Sequence, residues 1–319
     1  MLRSLGKTGL QLEPLVLGGN VFGWTVDRKR SFELLDAFVD AGLGAIDTAD
    51  SYSTWVPGHS GGESESIIGE WLAANPAKRS RVLIFTKVGS DLGEDRKGLS
   101  ARWIARAAED SLRRLRTDVI DLYQSHWPDP ATAYEETLFA YERLLREGKV
   151  RAIGASNLNA AQLSQSLAVA KERGLPRYAT LQPHYNLYDR DSFEGELREL
   201  CVRENIGVIS YFGLASGFLT GKYRSAADLT KGPRGAGMAQ YLNVRGTRIL
   251  AALDQVAARL DALPAEVALA WVAAQKGITA PIASATDLQQ LGSLIRSVRL
   301  RLSAEDLRVL DSASATQPS

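Results

Sequence analysis

Four side chains that can hold or move a proton lie at the ends of three apolar runs in the first half of the chain. Asp47 and Tyr52 close the stretch "AIDTADSY", Lys87 closes "VLIFTKV" and His126 closes "VIDLYQSH". A tyrosine with its usual pKa of about 10 is a poor acid near neutral pH, and a nearby ammonium group lowers that pKa. Asp47 could keep Lys87 charged and oriented, while His126 could hydrogen-bond an oxygen that accumulates charge. The set could therefore protonate a carbonyl oxygen while another group attacks the carbonyl carbon.

Each of these residues also has an ordinary structural explanation. Asp47 could cap the following turn, Lys87 could be a solvated strand end, and Tyr52 could be an aromatic residue on a rim. His126 could be a satisfied core histidine. Their position at three consecutive strand ends favours a shared pocket. Because no side chain delivers a hydride, the donor in such a pocket would be a reduced nicotinamide.

Composition and charge exclude several classes of protein. The 319 residues carry 38 lysines and arginines against 37 aspartates and glutamates, a balance that argues against a nucleic-acid or membrane-surface partner. The single cysteine, Cys201, can form neither an intramolecular disulfide nor a cysteine-rich zinc site, and His59, His126 and His184 lack zinc-type spacing. No apolar run reaches membrane-spanning length, and the N-terminus has no signal-like segment. We therefore expect a cytoplasmic protein without a metal.

Eight short apolar runs of strand character recur along the chain, with helical patterns between them. The runs lie near Leu15, Ala45, Val82, Val119, Val150, Tyr178, Ile206 and Ile278. The first seven are spaced by about 30 residues, the length of one βαβ unit, and several are apolar on both faces, as buried parallel strands are. An open dinucleotide-binding sheet should carry G-x-G-x-x-G after a strand, and "LGGNVFG" and "GHSGGE" do not fit that spacing. The pattern favours an α/β fold of the (β/α)8 TIM-barrel class, with residues 1–319 as one domain.

Two segments interrupt the regular alternation of strands and helices. "GKTG", near the start of the chain, is a hairpin-type turn signal, and an N-terminal β-hairpin there could plug the lower end of the barrel. The gap between Ile206 and Ile278 contains "LTGKYRSAADLTKGPRGAGMAQ", which we interpret as a long functional loop followed by extra helices near the C-terminus. The segment "DPATAYEETLFAYERLLREGK", earlier in the chain, has a helical pattern. In that predicted helix, Asp129 is the expected cap, Pro130 the expected first residue and Gly148 the expected end.

The ordered set of segments resembles the aldo-keto reductases. "GAIDTADSY", "FTKVG", "YQSHWPD", "RAIGASN", "LQPHYNLYDR" and "YFGLASGFLTGKY" carry the resemblance, which extends across nearly the whole chain. It implies an enzyme that reduces aldehydes or ketones to alcohols, with NADPH implied more strongly than NADH. It implies Tyr52 as the general acid and Lys87, paired with Asp47, as the group that tunes its pKa. His126 would orient the carbonyl, while Asp50 has no counterpart in this set and is expected to cap the turn.

The resemblance also implies a set of cofactor contacts around the mouth of the barrel. The residues in this set are Ser156, Asn157, Gln182, Tyr211, Leu214, Ser216, Lys222, Ser284, Thr286 and Gln290. Ser156, Asn157 and Gln182 would contact the nicotinamide carboxamide, and Tyr211 would stack on the ring. The segment 214–222 would lie over the pyrophosphate, where backbone donors suit an anion.

Cofactor choice rests on a departure from the family pattern. The family commonly places an arginine near the start of the last barrel helix to bind the adenosine 2'-phosphate, whereas "ASATDLQQLGSL" has no basic residue. Lys222, Arg224 or Arg234 could supply charge from the long loop, or NAD could be used.

Aromatic residues follow several strand ends and could line an apolar pocket for the carbonyl substrate. Trp24, Trp55 and Trp127 are the expected substrate contacts, and Tyr185 is a further aromatic candidate. The loop 53–63, with Trp55 and His59, could close over the substrate or be an ordinary surface loop. Because some relatives in the family associate with ion channels, a nicotinamide-binding regulatory subunit is the alternative function.

Overall fold

A two-stranded antiparallel hairpin, β1 (Arg3–Ser4) and β2 (Gln11–Leu12), begins the computed structural model, which describes residues 2–232 and 234–315. Its apolar side chains are buried against the barrel interior. Gly6 has φ +54° and lies so close to the start of a barrel strand that a Cβ there would be 2.4 Å from the Gly207 nitrogen. Only glycine fits this approach. The predicted hairpin is therefore present and covers the amino-terminal end of the barrel.

Eight parallel strands follow and close into a barrel. They are β3 (Val16–Gly18), β4 (Ala45–Asp47), β5 (Leu83–Val88), β6 (Leu122–Ser125), β7 (Ile153–Ser156), β8 (Thr180–Gln182), β9 (Gly207–Ser210) and β10 (Ile278–Ala283). Each strand pairs with the next, and Ile282 opposite Val16 closes the ring between β10 and β3. Each predicted apolar run contains one of these strands, so the predicted TIM barrel is confirmed. The predicted domain 1–319 also includes Met1, Pro233 and residues 316–319, which lie outside the described residues.

Ten helices of the described residues surround the barrel or follow it. They are α1 (Arg28–Asp40), α2 (Glu63–Ala74), α3 (Ala101–Leu115), α4 (Tyr134–Arg146), α5 (Ala160–Arg173), α6 (Glu196–Glu204), α7 (Val244–Leu260), α8 (Pro264–Ala274), α9 (Leu288–Arg299) and α10 (Ala304–Ser314). The extra helices α7 and α10 pack together, with Arg248 Nε donating to the Ala313 carbonyl at 2.7 Å. In the part of the chain that the structure describes, no helix combines the length and apolarity needed to cross a bilayer.

One predicted helix start is wrong. We expected Asp129 as the cap and Pro130 in the first position, but α4 begins at Tyr134. The Asp129 carboxylate instead accepts a hydrogen bond of 2.7 Å from the backbone nitrogen of Leu99, which ties the loop after β6 to the segment before α3. The predicted end is confirmed, since Gly148 follows the last turn with φ +70°.

The predicted long loop after β9 contains short helical turns. It forms three 3₁₀ segments, Ala215–Thr220, Ala226–Thr230 and Gly235–Tyr241, before α7 begins. Residues from this segment line the same cavity as the carboxyl ends of the strands. The segment therefore covers the part of the barrel where a TIM barrel places its chemistry.

Candidate active site

A cavity of about 990 Å³ opens at the carboxyl ends of the barrel strands. Most of the residues predicted as site residues line it: Asp47, Tyr52, Trp55, His126, Trp127, Ser156, Asn157, Gln182, Tyr211, Leu214, Ser216, Lys222, Ser284, Thr286 and Gln290. They come from separate stretches of the sequence and meet because parallel strands end on one side of the barrel. Its volume is that of a site for a sizeable small molecule.

Lys87 joins Asp47 and Tyr52 at the base of this cavity. The β4–β5 register places Asp47 opposite Phe85, and Lys87, two residues further along, points to the same side, into the barrel. Its Nζ donates hydrogen bonds to Asp47 Oδ2 at 2.6 Å, to the Thr48 carbonyl at 2.8 Å and to the Tyr52 hydroxyl at 2.8 Å. Both Lys87 and Asp47 are buried. A buried ammonium is stable here because all three of its donors are satisfied.

The protonation state of Tyr52 follows from its surroundings. Burial raises the pKa of Tyr52 well above 10, and the Asp47 carboxylate raises it further. Burial lowers the pKa of Lys87, and the charge of Asp47 opposes that shift. The net shift of the Tyr52 pKa is therefore upward, because burial and the Asp47 carboxylate outweigh any lowering by the Lys87 ammonium. Tyr52 is a protonated phenol at neutral pH.

His126 lies beside Tyr52 with its ring held on two sides. The ring centroids of His126 and Tyr52 are 5.9 Å apart in an edge-to-face arrangement, and Trp127 stacks on the imidazole at 5.6 Å. The Ser90 hydroxyl lies 3.0 Å from His126 Nδ1. Burial lowers the pKa of His126 well below 6.5, and the positive charge of Lys87 lowers it further. The imidazole is therefore neutral at neutral pH. Its Nδ1 is hydrogen-bonded to Ser90, which leaves Nε2 as the ring nitrogen that can contact a ligand.

The predicted nicotinamide contacts are linked to one another and to the base of the cavity. The Ser156 hydroxyl donates to the Gln182 carbonyl at 2.8 Å, and the Gln182 amide donates to Asp47 Oδ1 at 2.9 Å. The Tyr211 hydroxyl donates to Asn157 Oδ1 at 2.7 Å. These bonds fix the side chains before any ligand binds.

The segment after β9 lines the cavity with an unusual backbone conformation. Ala215, Ser216 and Gly217 have φ values of 47°, 55° and 106°, three successive left-handed residues. Two of the three backbone nitrogens already have partners, since Ala215 N donates to the Phe212 carbonyl at 2.7 Å and Gly217 N to the Leu214 carbonyl at 2.9 Å. A Cβ on Gly217 would lie 3.7 Å from Lys222 Nζ, so the Lys222 ammonium group borders this segment.

The loop after β10 and the start of α9 present neutral polar groups to the cavity. Thr286 donates to Gln290 Oε1 through its backbone nitrogen at 3.1 Å and its hydroxyl at 3.2 Å. The Ser284 hydroxyl donates to Asn20 Oδ1 at 2.6 Å. Arg224, which could have supplied charge, makes two hydrogen bonds of 2.7 Å to Asp254.

Comparison with known proteins adds an independent line of support to this geometry. The model of the aldo/keto reductase family matches residues 14–315. The chain belongs to this family. It is 36% identical over 313 residues to "Uncharacterized oxidoreductase YrpG" of Bacillus subtilis (strain 168), covering 96% of this chain and 94% of that protein. It is 32% identical to "Protein tas" of Escherichia coli (strain K12), covering 95% and 94%. It is 31% identical to "Probable voltage-gated potassium channel subunit beta" of Oryza sativa subsp. japonica, covering 91% and 88%.

Three aromatic or histidine positions of this aldo/keto reductase lie away from the cavity wall. Trp24 packs edge to face on Trp55 at 5.6 Å and lies behind it. Tyr185 is fully buried and donates to Glu194 at 2.7 Å, so its prediction as a pocket residue is wrong. His59 is likewise absent from the wall.

Asp50 differs most from its expected role. We expected it to cap a turn, but its side chain is buried and neither carboxylate oxygen has a hydrogen-bond partner among the described residues. Burial raises the pKa of Asp50 well above its usual value, and the neighbouring Glu65 carboxylate raises it further. Burial therefore disfavours the charged form of the Asp50 carboxyl group.

Sequence reasoning missed Ser90 and Gln124. Ser90 follows β5 by two residues and fixes His126, and nothing in its local sequence marks it. Gln124 lies inside β6, where its amide is 3.5 Å from Asp47 Oδ1. A fully buried glutamine within an apolar strand is a signal that could have identified it, because such a group needs an internal partner.

Proposed function

We propose that this aldo/keto reductase reduces aldehydes or ketones to alcohols with a nicotinamide cofactor, NADPH in preference to NADH, and that Tyr52 is the general acid. The observation that carries the proposal is the hydrogen bond of 2.8 Å from Lys87 Nζ to the Tyr52 hydroxyl, at the base of a cavity of about 990 Å³. The phenol is exposed to this cavity while the ammonium is buried beneath it. A proton can therefore pass from Tyr52 to a bound carbonyl.

The residues around the cavity fit a nicotinamide dinucleotide. Lys222, which borders Gly217 on the cavity wall, suits a diphosphate, and Tyr211 offers a ring face near Ser156 and Asn157. When bound, the cofactor would supply the hydride that no side chain can supply. The protein would contribute binding, orientation and the proton.

The proton step needs a stable site for the charge that Tyr52 leaves behind. Loss of the proton gives a phenolate 2.8 Å from Lys87 Nζ, and the ammonium stabilises that anion electrostatically. Asp47 keeps Lys87 in place through a contact of 2.6 Å. The tautomer of neutral His126 in which Nδ1 accepts from Ser90 has an N–H at Nε2, and this N–H would donate to the carbonyl oxygen and orient the substrate.

A turnover assay tests this function directly. The purified protein is mixed with NADPH or NADH and 4-nitrobenzaldehyde, and the loss of nicotinamide absorbance is followed. We expect turnover with a broad set of aldehydes and ketones. Tight cofactor binding without turnover of any of them would overturn the proposal.

A second candidate is a regulatory subunit that binds a nicotinamide cofactor without needing turnover. The name of the rice relative, a probable potassium channel subunit beta, favours it. An intact set of Asp47, Tyr52, Lys87 and His126 is compatible with both functions. The same assay separates them, because a purely regulatory subunit would hold the cofactor and leave it unoxidised.

A further inference from the structure

The first turn of α2 holds two threonines beside the Lys87 site. Ser64 and Glu65 are adjacent residues of that turn, and both side chains are fully buried. The Thr48 hydroxyl, directly after β4, donates to the Ser64 hydroxyl at 2.8 Å. The Thr86 hydroxyl, in β5, donates to Glu65 Oε1 at 2.5 Å. One helical turn therefore binds, from outside the barrel, two residues that neighbouring strands supply.

Thr86 is the residue directly before Lys87, and the two side chains point to opposite faces of β5, because side chains alternate along a strand. Lys87 points into the barrel and Thr86 points outward, onto α2. The two residues share a peptide group, so a contact that fixes Thr86 on the helix also restrains the backbone of Lys87. From that backbone, Lys87 Nζ reaches the Tyr52 hydroxyl at 2.8 Å.

Thr48 contacts Lys87 directly through its backbone. Its carbonyl accepts a hydrogen bond of 2.8 Å from Lys87 Nζ, and its nitrogen donates to the Phe85 carbonyl at 2.8 Å. The side-chain bond to Ser64 is a further attachment, and the Ser64 hydroxyl in turn donates to the Gly19 carbonyl at 2.8 Å. The carbonyl that receives one of the three Lys87 donors is therefore held by the strand and by the helix.

Glu65 is itself held by α3. Arg114 Nε donates to Glu65 Oε2 at 2.7 Å, and Arg114 Nη2 lies at the same distance from that oxygen. Both carboxylate oxygens therefore have partners, as a buried charge requires. Burial lowers the pKa of Lys87, and the Glu65 carboxylate adds to the negative charge that opposes this shift. Glu65 thus gives Thr86 an acceptor of fixed direction and favours the ammonium form of Lys87.

We propose that Thr48 and Thr86 are positioning residues for the proton step, and that their contacts with α2 keep Lys87 Nζ at hydrogen-bond distance from the Tyr52 hydroxyl. Neither threonine lines the cavity, so each acts on the reaction through Lys87. This inference rests on the proposed carbonyl reductase function and adds two residues to the machinery that holds its general acid.

The experiment removes one hydroxyl at a time. Thr86→Val and Thr48→Val keep the branched shape of the side chain and lose the hydrogen bond to α2. We expect each to lower kcat for 4-nitrobenzaldehyde about 10-fold, because a small displacement of a catalytic group is costly, and to leave the Kd for NADPH unchanged within about twofold. The solvent isotope effect on kcat should rise, since the proton transfer from Tyr52 becomes slower. Thr86→Ser and Thr48→Ser keep the hydroxyl and should restore most of kcat.

Thr137→Val is the matched control. Thr137 is buried on α4, and its hydroxyl donates to the Leu99 carbonyl at 3.1 Å, away from the cavity. The variant loses the same chemical group and a buried hydrogen bond, so it should lower Tm while kcat and the solvent isotope effect stay at their wild-type values. Expressing kcat per NADPH-binding site keeps a loss of folded protein from lowering it.

Three results would overturn the inference. The first is a wild-type kcat in Thr86→Val and Thr48→Val, the second an equal loss of kcat in Thr137→Val, and the third a failure of both serine variants to restore kcat. If Thr86→Val does not fold, Thr48→Val decides the matter, because Ser64 keeps its acceptor on Gly19 and no buried charge is left without a partner.

Failure of the proposed function gives a different result. A wild type that binds NADPH and reduces no carbonyl compound would overturn carbonyl reduction. Crystal structures of Thr48→Val and Thr86→Val then decide whether the threonines position Lys87. A separation of Lys87 Nζ from the Tyr52 hydroxyl beyond about 3.5 Å, outside hydrogen-bond range, supports the positioning role. The wild-type separation of 2.8 Å in both variants overturns it.

Discussion

Gln182 Nε2 lies 2.9 Å from Asp47 Oδ1, although 135 residues separate the two in the chain. Lys87 Nζ occupies the other oxygen of the same carboxylate at 2.6 Å. Both oxygens of Asp47 therefore have donors, and the carboxylate cannot rotate away from the lysine. Gln182 on β8 therefore holds Asp47 on β4, and Asp47 in turn holds Lys87 on β5 beneath Tyr52.

Lys87→Met should destabilise the fold as well as stop turnover. Removing one partner of a buried ion pair leaves the other charge unpaired, which costs about 3–5 kcal/mol of unfolding free energy. Lys87 and Asp47 are 0% and 1% exposed, so water cannot compensate. Urea unfolding measures the change, and Asp47→Asn combined with Lys87→Met should recover most of the lost stability while remaining inactive. A Lys87→Met variant as stable as the wild type would contradict the assignment of this pair.

Tyr52→Phe should lower kcat by about 10²- to 10⁴-fold, the usual contribution of a positioned acid, and leave the Kd for NADPH nearly unchanged. Only the proton donor is lost, since the ring and its contacts remain. Tyr185→Phe is the matched control, because it removes a hydroxyl bonded to Glu194 away from the cavity. Steady-state kinetics and fluorescence titration of cofactor provide the two measurements. A Tyr52→Phe enzyme with near-normal kcat would show that another group donates the proton.

The rate of reduction should vary little with pH through the neutral range. The pKa of Tyr52 is raised well above its usual value of 10.0, so the phenol keeps its proton as the pH rises toward that value. The pKa of His126 is lowered well below 6.5, so the imidazole stays neutral when the pH falls to that value. A pH profile of kcat/KM between roughly pH 6 and pH 9 is the measurement. A profile with an inflection near pH 6.5 or pH 8 would contradict one of these protonation states.

Asp50→Asn should stabilise the enzyme at neutral pH and have little effect in acid. The folded-state pKa of Asp50 is raised above its usual 3.8, so the folded state binds its proton more tightly than the unfolded state. The stability that this protonation gives is complete below that unfolded value and is lost as the pH rises toward the folded pKa. Asparagine cannot ionise and avoids the loss. Thermal unfolding should show a Tm difference in favour of Asp50→Asn that is small near pH 4 and larger near pH 7.

Much of the barrel could be predicted from the sequence because parallel strands buried on both faces are apolar runs of regular spacing. The positions of three site residues followed from the same regularity, since Asp47 ends β4, Lys87 lies one residue before the end of β5 and His126 directly follows β6. The α4 start at Tyr134 could not be predicted, because the Asp129 carboxylate closes a local turn at the Ala131 nitrogen and also binds the Leu99 nitrogen of another loop. A cap residue shows its local preference in the sequence and does not show which backbone group it binds.

The electrostatics could not be predicted for the same reason. An ammonium beside a phenol lowers its pKa, and the sequence does not show that the burial of Tyr52 and its nearness to Asp47 outweigh that effect. The roles of Asp50 and Ser90 were missed because both depend on the assembled barrel. There Asp50 is buried without a hydrogen-bond partner among the described residues, and the Ser90 hydroxyl contacts the His126 imidazole.

Cofactor preference should respond to one substitution at the start of α9. Thr286 and Gln290 give that end of the cavity neutral donors and acceptors, and Arg224 is held by Asp254. We expect the wild type to bind NADPH more tightly than NADH, and Gln290→Arg to increase the ratio of their Kd values about tenfold or more, as a charge-assisted hydrogen bond to phosphate would. Gln165→Arg, on the exposed face of α5, adds the same charge away from the cavity and should leave the ratio near its original value. A Gln290→Arg enzyme with an unchanged ratio would show that the adenosine 2'-phosphate does not reach this end of the cavity.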